Sequence, residues 1–480
     1  MGLIGRPQGR PILHYAAAGY KGLNPTPKKK EASMNAGARG SLVQLESTRS
    51  PGSKGHEIVP PDRTATFAEL FRVGEYRALW IAGLISNTGD QLARVALALL
   101  VFQRSGSPFL TALTYALTLL PALVGGPLLG GLADRYPRRD LLIACNLVRT
   151  AVAAAMALPM VPLAAVYALV FALALLDAPE RAARTALVRD LLSGDVYTLG
   201  VATNQLTYQV TLLAGFGTGA MVVASIGPYP ALAVNAATFA CCALILRTCL
   251  RRRPAAAGRS PTRRRSEVAG TLRLIAGSPR LRSILALSLL AGYFVVPVGL
   301  AVPYAAQIHL PTRLTGMLLA AVPAGNVVGM VVIGRMLRHG AQVKIMGLSA
   351  ALAGLPLTAC ALHPGAIASL SLFALTGVGA AYQVIAQAEF VHAVPADRRG
   401  RALGLAAPAI TAVQGVGVLI GGVLADRIGA AATIALTGAA ALATGAPLAI
   451  IWHRVRTSGT GPDGHPADRP GAAPRSPAST

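Results

Sequence analysis

Long apolar runs recur along most of the chain, and they restrict its possible folds more than any other feature. The stretch "GGLADRYPRRD", residues 130–140, is dense in charge, yet "LLPALVGGPLL" precedes it and "LLIACNLVRTAVAAAMAL" follows it. Runs of roughly 20 apolar residues are long enough to cross a hydrocarbon core about 30 Å thick. Because lipid offers no hydrogen bonds, such segments must satisfy their backbone groups as helices. The sequence therefore predicts an all-α membrane protein that crosses the bilayer many times.

Twelve such segments are predicted, and a polar, arginine-rich stretch divides them six and six. They lie near residues 78–102, 108–132, 141–160, 162–178, 199–226, 229–248, 281–304, 314–335, 344–362, 365–388, 402–424 and 430–452. Two related six-helix bundles that face each other are a transporter architecture. The predicted organisation is a disordered cytoplasmic arm (1–76), a first bundle (77–249), a basic cytoplasmic linker (250–280), a second bundle (281–453) and a disordered tail (454–480).

The composition agrees with a membrane protein and argues against several other classes. Charged residues make up 13% of the chain, about half the fraction of a typical soluble globule. The net charge of +25 does not indicate nucleic-acid binding, because the basic residues lie mostly between and outside the apolar runs. The five cysteines form no CxxC pair and have no histidine cluster nearby, so neither a metal site nor a cofactor is predicted.

The distribution of arginine and lysine predicts the orientation in the membrane. If the N-terminus is cytoplasmic, the short inner loops hold twelve basic residues and the outer loops hold Arg104, Arg313 and Arg427, only three. Cytoplasmic loops carry the excess of positive charge in membrane proteins. We therefore expect a multi-pass protein of the plasma membrane with both termini in the cytoplasm.

The charged stretch after the second segment resembles the signature loop of the major facilitator superfamily. The match is carried by Gly130, Leu132, Ala133, Asp134, Arg135, Arg138 and Arg139, whereas Pro137 stands where the family usually has glycine. The resemblance covers about 380 residues and is greatest to the branch that holds macrolide-type drug exporters and siderophore exporters. It implies a gating loop formed by Gly130, Gly131, Asp134, Arg135, Arg138 and Arg139. In it, the acidic residue would face the start of the eleventh helix, and the arginines would lie at the lipid interface.

Polar residues inside the apolar segments are the second group of candidates. A charge at mid-bilayer costs about 2.5–3.5 kcal/mol, so one that persists normally faces a cavity or a partner. Asp90 and Arg94 are four residues apart on the first segment, a spacing that permits an ion pair. They are candidates for proton coupling or substrate contact together with Asn87, Gln91 and Arg149, whose partner the sequence does not identify. A neutralised structural pair is the alternative for Asp90 and Arg94.

Further polar residues could line the transport path or hold helices together. The cavity-lining candidates are Asn204, Gln205, Gln209, Asn326, Gln383 and Gln387. Asp177 and Glu389, by contrast, are expected near inner helix ends in structural roles. Gly215, Gly217 and Gly219 on the fifth segment resemble the glycine-rich motif of the family's antiporters and predict close helix packing. A second copy of the loop motif, "GGVLADRIG" at residues 421–429, ends the eleventh segment, and no gating role is expected for it.

Motifs for ATP hydrolysis and for common hydrolases are missing, so an enzyme is not expected. The chain has no GxxxxGK[ST], HExxH or GxSxG motif. The sequence thus favours a secondary transporter that works as a monomer on a small-molecule substrate, and in particular proton-coupled efflux of amphipathic compounds such as drugs or secondary metabolites. An importer of a small metabolite with the same fold is the first alternative, and a membrane sensor or scaffold is the second.

Overall fold

The structure, a computed structural model, describes residues 65–129, 131–253, 270–395 and 398–458, without the side chains of residues 127, 134 and 339. The predictions for residues 1–64, 254–269 and 459–480 lie outside this part of the chain. The compact unit begins at Phe67. Helices make up almost all of the described chain, and no strand occurs in it.

Twelve long helical stretches, α1–α12, follow one another in the order expected from the apolar runs. In the first half they are α1 Gly74–Ser105, α2 Pro108–Leu119 with Pro121–Leu129, α3 Arg138–Met156, α4 Leu163–Leu175 with Asp177–Leu191, α5 Gly194–Ile226 and α6 Pro228–Cys249. In the second half they are α7 Pro279–Leu289 with Ala291–Phe294, Val296–Gly299 and Ala301–Gln307, α8 Thr312–Met336, α9 His339–Leu352 with Leu355–Thr358 and the 3-10 turn Ala359–Leu362, α10 Ala366–Ala380 with Tyr382–Ala393, α11 Arg399–Ile428 and α12 Ala430–Ser458. The all-α fold is thus confirmed.

Shorter helices flank these stretches. Phe67–Arg72 precedes α1, Leu132–Arg135 follows α2, and residues 270–277 are helical ahead of α7. Leu70 and Tyr76 are fully buried, although the sequence analysis placed residues up to 76 in the N-terminal arm.

Length and composition alone qualify ten helices of the described chain as membrane spans, and α1 and α3 are the two long stretches left out. Both carry charge in mid-helix. Asp90 and Arg94 lie near the middle of α1, and Arg149 lies in α3. The two long helices that do not qualify therefore hold the charged residues that were expected to face a cavity or a partner.

The helices alternate in direction, so the bundle has two different ends. We call the end with the α2–α3, α4–α5, α8–α9 and α10–α11 connections the arginine-rich end, and the other the arginine-poor end. At the arginine-poor end one apolar core includes residues of both halves, such as Phe216, Phe239 and Phe373. At the arginine-rich end each half has a separate core, one around Tyr76 and one around Tyr382. The halves therefore share an apolar core at the arginine-poor end and have separate cores at the arginine-rich end.

Candidate functional site

A cavity of about 850 Å³ lies between the two halves at mid-bundle. Helices of both halves line it: α1, α2, α4 and α5 from the first, and α7, α8, α10 and α11 from the second. Most of its wall is apolar, as in small-molecule sites that use few polar groups for orientation. The polar lining side chains near mid-bundle include Arg94, Tyr115, Tyr208, Gln209, Asn326, Gln383 and Gln414.

The cavity extends toward the arginine-rich end. Its lining continues along α4 to Arg181, whose side chain is 77% exposed, and to the exposed Thr185. Toward the arginine-poor end it stops where α2 packs on α11 and α5 packs on α8. A Cβ on Gly316 would lie 2.6 Å from the Phe216 carbonyl oxygen, so α5 and α8 touch through their backbones there. The site is accessible from one end only.

The cavity includes some of the sequence-predicted candidates and omits others. Arg94, Gln209, Asn326 and Gln383 line it. Asn204 instead accepts a hydrogen bond from the Tyr76 hydroxyl at 3.4 Å, and Gln205 and Gln387 lie on exposed helix surface. Asn87 is half-buried on α1, and Gln91 is buried.

Arg94 is the cation that faces the cavity at mid-bundle. Its Nη1 donates to Gln91 Oε1 at 3.4 Å, and its guanidinium also interacts with the Tyr208 hydroxyl. Tyr115 also lines the cavity. Neither tyrosine could be assigned to Arg94 from spacing, because each is on a different helix.

Asp90 lies beside the main cavity rather than in it. A side cavity of about 40 Å³ is lined by Asp90, Arg94, Asp177 and Asn235 among others, and it shares Arg94 and Asp177 with the main cavity. This volume exceeds the roughly 10–15 Å³ that one water molecule needs. The Asp90–Arg94 ion pair that the spacing permits is not formed, and no described residue forms an ion pair or a hydrogen bond with the Asp90 carboxylate.

Arg149 has the partners that the sequence did not identify. On α3 its guanidinium is ion-paired with Asp177 and lies 2.6 Å from Glu180 Oε2, and it stacks over the Phe239 ring at 5.4 Å. Arg184 completes the cluster with a 3.0 Å contact to Glu180. Asp177 lies at the junction of the two segments of α4, just after Leu163–Leu175, and α4 then continues as a helix through the charged stretch to Leu191.

Two of the three glycines on α5 pack tightly against α1. A Cβ on Gly215 would lie 2.5 Å from Gln91 Cβ, and one on Gly219 would lie 3.2 Å from Val95 Cγ2. Gly217 faces α8 instead, where Ala320 Cβ would be 3.9 Å away. The spacing therefore places two glycines at a close helix contact and the third at an ordinary one.

Two of the three arginines of the predicted gating loop contact their own half. Arg138 is ion-paired with Asp190 at the end of α4, and Arg139 Nη2 donates to the Arg247 carbonyl at 2.5 Å. Arg135 is exposed and Gly131 half-buried. Gly130 and the Asp134 side chain lie outside the described part, so the predicted contact with α11 stays a prediction.

The second copy of the motif contacts the other half at the arginine-poor end. Asp426, in the last turn of α11, accepts the Phe109 backbone N–H at 2.9 Å and the Ser107 hydroxyl at 3.1 Å. The sequence analysis expected no gating role for this stretch. The available signal was that a carboxylate in the last turn of a helix opposes that helix's own dipole and needs a partner elsewhere.

Comparison with known proteins agrees with this architecture. The sequence profile of the family described as "Transmembrane secretion effector" matches residues 64–468. The multidrug efflux pump Tap of Mycolicibacterium fortuitum is 25% identical over 379 residues, which cover 75% of this chain and 91% of Tap. An uncharacterized MFS-type transporter of Bacillus subtilis (strain 168), YkuC, is 24% identical over 186 residues, 38% of this chain and 43% of YkuC.

Solved transporters share the fold at low sequence identity. A bacterial homologue of the human lysosomal transporter Spinster, in an inward-facing and unoccupied conformation, has a TM-score of 0.62 at 14% identity and covers 82% of this chain and 99% of its own. The nucleoside transporter NupG has a TM-score of 0.63 at 13% identity, covering 80% of this chain and 99% of its own.

Proposed function

Since the chain belongs to the transmembrane secretion effector family of the major facilitator superfamily, and is thus a multi-pass membrane transporter, we propose that it exports small amphipathic compounds across the plasma membrane in exchange for protons. The observation that carries the proposal is the cavity of about 850 Å³ between the halves, with apolar walls and a few polar groups. Substrate would bind there, and rocking of one half against the other would expose the site alternately.

Export is favoured over import by the similarity to Tap, a multidrug efflux pump. The arginine-rich end is cytoplasmic in this proposal, so the cavity as it stands would receive substrate from the cytoplasm. The lining suits an amphipathic substrate, because apolar walls can hold its body while Gln209, Asn326 and Gln383 orient its polar groups.

Proton coupling is assigned to Asp90. Of three carboxylates near this depth, Asp177 and Glu180 are each held by arginines, whereas Asp90 has no such partner among the described residues. The side cavity has room for water between Asp90 and the main cavity, which would give protons a path to the carboxylate. Arg94, at the boundary of both cavities, would respond to the charge on Asp90.

Accumulation of ethidium and a panel of antibiotics, in cells with and without the protein, tests the proposal. Expressing cells should retain less of at least one compound, and a protonophore should abolish the difference. Higher retention would support import instead. No change for any compound in the panel would count against efflux of amphipathic compounds.

A further inference from the structure

At the arginine-poor end, the carboxylate of Asp426 on α11 contacts the N-terminus of α2. Ser107 is the N-cap of α2, and its hydroxyl accepts from the Leu110 N–H while it donates to Asp426. Asp426 also accepts the Phe109 N–H, one of the donors that a helix start leaves unpaired. The contact links two residues more than 300 positions apart and joins the two halves.

The position of Asp426 favours this partner over its own helix. α11 ends at Ile428, so the carboxylate sits at the end where the helix dipole is negative and repels it. The start of α2 has the opposite sign and attracts it. The Asp426 carboxylate is therefore destabilised by the dipole of α11 and stabilised by that of α2. Its stabilisation comes mainly from the contact between the two halves.

The glycines of the same motif bring the two helices close enough for that contact. A Cβ on Gly422, one turn before Asp426, would lie 2.6 Å from Ala112 Cβ and 3.2 Å from Phe109 Cα. Gly421 instead faces Val296 of α7, where a Cβ would lie 2.6 Å from Cγ1. The stretch "GGVLAD" therefore supplies both the close approach and the polar contact.

We propose that Asp426, Ser107 and the N-terminus of α2 form a latch that keeps the arginine-poor end closed and must release for that end to open. α2 and α11 run in opposite directions; in the sequence the "GGLAD" copy directly follows α2, and "GGVLAD" forms the last turns of α11. The sequence thus provides one such motif at each end of the same helix pair. The inference rests on the proposed alternating access, but it concerns the conformational equilibrium and needs no substrate.

Distances between spin labels test the latch. In a background with the exposed Cys241 and Cys249 changed to serine, Met160→Cys and Leu362→Cys place labels on opposite halves at the arginine-poor end. Tyr136→Cys and Met336→Cys do the same at the arginine-rich end. Asp426→Ala should raise the population open at the arginine-poor end by about two- to fivefold, the range for a charge–dipole contact at an exposed site. Asp426→Asn should have a smaller effect, because its amide oxygen can still accept the Phe109 N–H.

Arg427→Gln is the matched control, since it removes a charge from the adjacent position, which is also exposed and has no described contact with α2. It should leave both distance distributions unchanged. The latch is refuted if Asp426→Ala gives the same distributions as Arg427→Gln while remaining folded and monodisperse. Loss of ethidium or antibiotic efflux is a separate result, so failure of the transport proposal would not be mistaken for failure of the latch.

Discussion

At the scale of single residues, Asp90 differs from Asp177 and Glu180, the other carboxylates near mid-bundle, because no described side chain forms an ion pair or a hydrogen bond with it. It lines a side cavity that is large enough for water and lies next to the main cavity. A group that must gain and lose a proton during transport needs this access, whereas Asp177 and Glu180 are fixed by arginines.

Asp90→Asn should therefore remove proton-driven transport and leave the fold intact. We expect nearly complete loss of uphill efflux of whichever panel compound the protein exports, with counterflow exchange of the same compound retained. Uphill efflux is measured in vesicles with an imposed pH gradient, and counterflow exchange is measured in vesicles without one. Asp195→Asn, an exposed carboxylate in the first turn of α5, is the control and should transport normally. Normal uphill transport by Asp90→Asn would contradict the coupling assignment.

The burial and the ion pairs of Arg149 allow the cost of replacing it to be predicted. Its side chain is 3% exposed and lies against two carboxylates, Asp177 and Glu180. Removing one partner of a buried ion pair typically costs about 3–5 kcal/mol, because the remaining charge stays buried. Arg149→Gln should thus lower the melting temperature strongly, and Arg149→Lys should restore part of it.

Arg181→Gln provides the comparison for Arg149, because Arg181 also contacts Asp177, at 3.4 Å, but from an exposed position. An exposed pair of this spacing contributes about 0.3–0.5 kcal/mol. The melting temperature of the Arg181→Gln variant in detergent should therefore be close to that of the unmodified protein. Equal effects of Arg149→Gln and Arg181→Gln would show that burial of the cluster does not determine its contribution.

At the scale of helices, the contact between α1 and α5 depends on Gly215. Gly215→Ala would place a methyl group 2.5 Å from Gln91 Cβ, at the helix that carries Asp90 and Arg94. Overpacking of this kind costs about 1–3 kcal/mol. Gly217→Ala, two residues away, meets only Ala320 at 3.9 Å and should be tolerated. Thermal unfolding of the two purified variants measures the difference, and equal stabilities would contradict the close packing of α1 on α5.

The helices also show what could be predicted from sequence and what could not. α6 was expected at 229–248 and is Pro228–Cys249, because an uninterrupted apolar run is a sufficient signal for a spanning helix. α4 was expected to end near 178, since its charged second part resembles a loop. It remains helical to Leu191 because its charges pair within the bundle, as Arg184 does with Glu180. Such partners are on other helices or other turns and are invisible to a hydropathy pattern.

The sequence predicted how far along each helix the site residues lie, but not which side of the helix faces the cavity. Polar residues in mid-helix were identified correctly as unusual, and Arg94, Gln209 and Asn326 do line the cavity. Gln205 and Gln387 do not, because α5 and α10 are apolar on several sides and their sequences do not indicate which side faces the other half. The contact of Asp426 with α2 joins residues more than 300 positions apart in the sequence, so only the tertiary structure reveals it.

At the scale of the whole molecule, the mechanism depends on which side of the membrane the arginine-rich end faces. The separate cores at that end leave the cavity open there, and the shared core closes the other end. If the arginine-rich end is cytoplasmic, this conformation loads substrate from the cytoplasm, as an exporter requires. If it faced outward, the same conformation would load from the exterior.

Cysteine labelling in intact cells distinguishes these two orientations. In the Cys241→Ser, Cys249→Ser background, Met160→Cys probes the arginine-poor end and Tyr136→Cys the arginine-rich end. Both positions are well exposed, at 85% and 55%, so a membrane-impermeant maleimide reaches either one if it is on the same side of the membrane. Because arginine-rich loops remain in the cytoplasm, Met160→Cys should react in intact cells and Tyr136→Cys only after permeabilisation. The reverse result would mean that the cavity opens to the exterior. This conformation would then load substrate for uptake rather than for export.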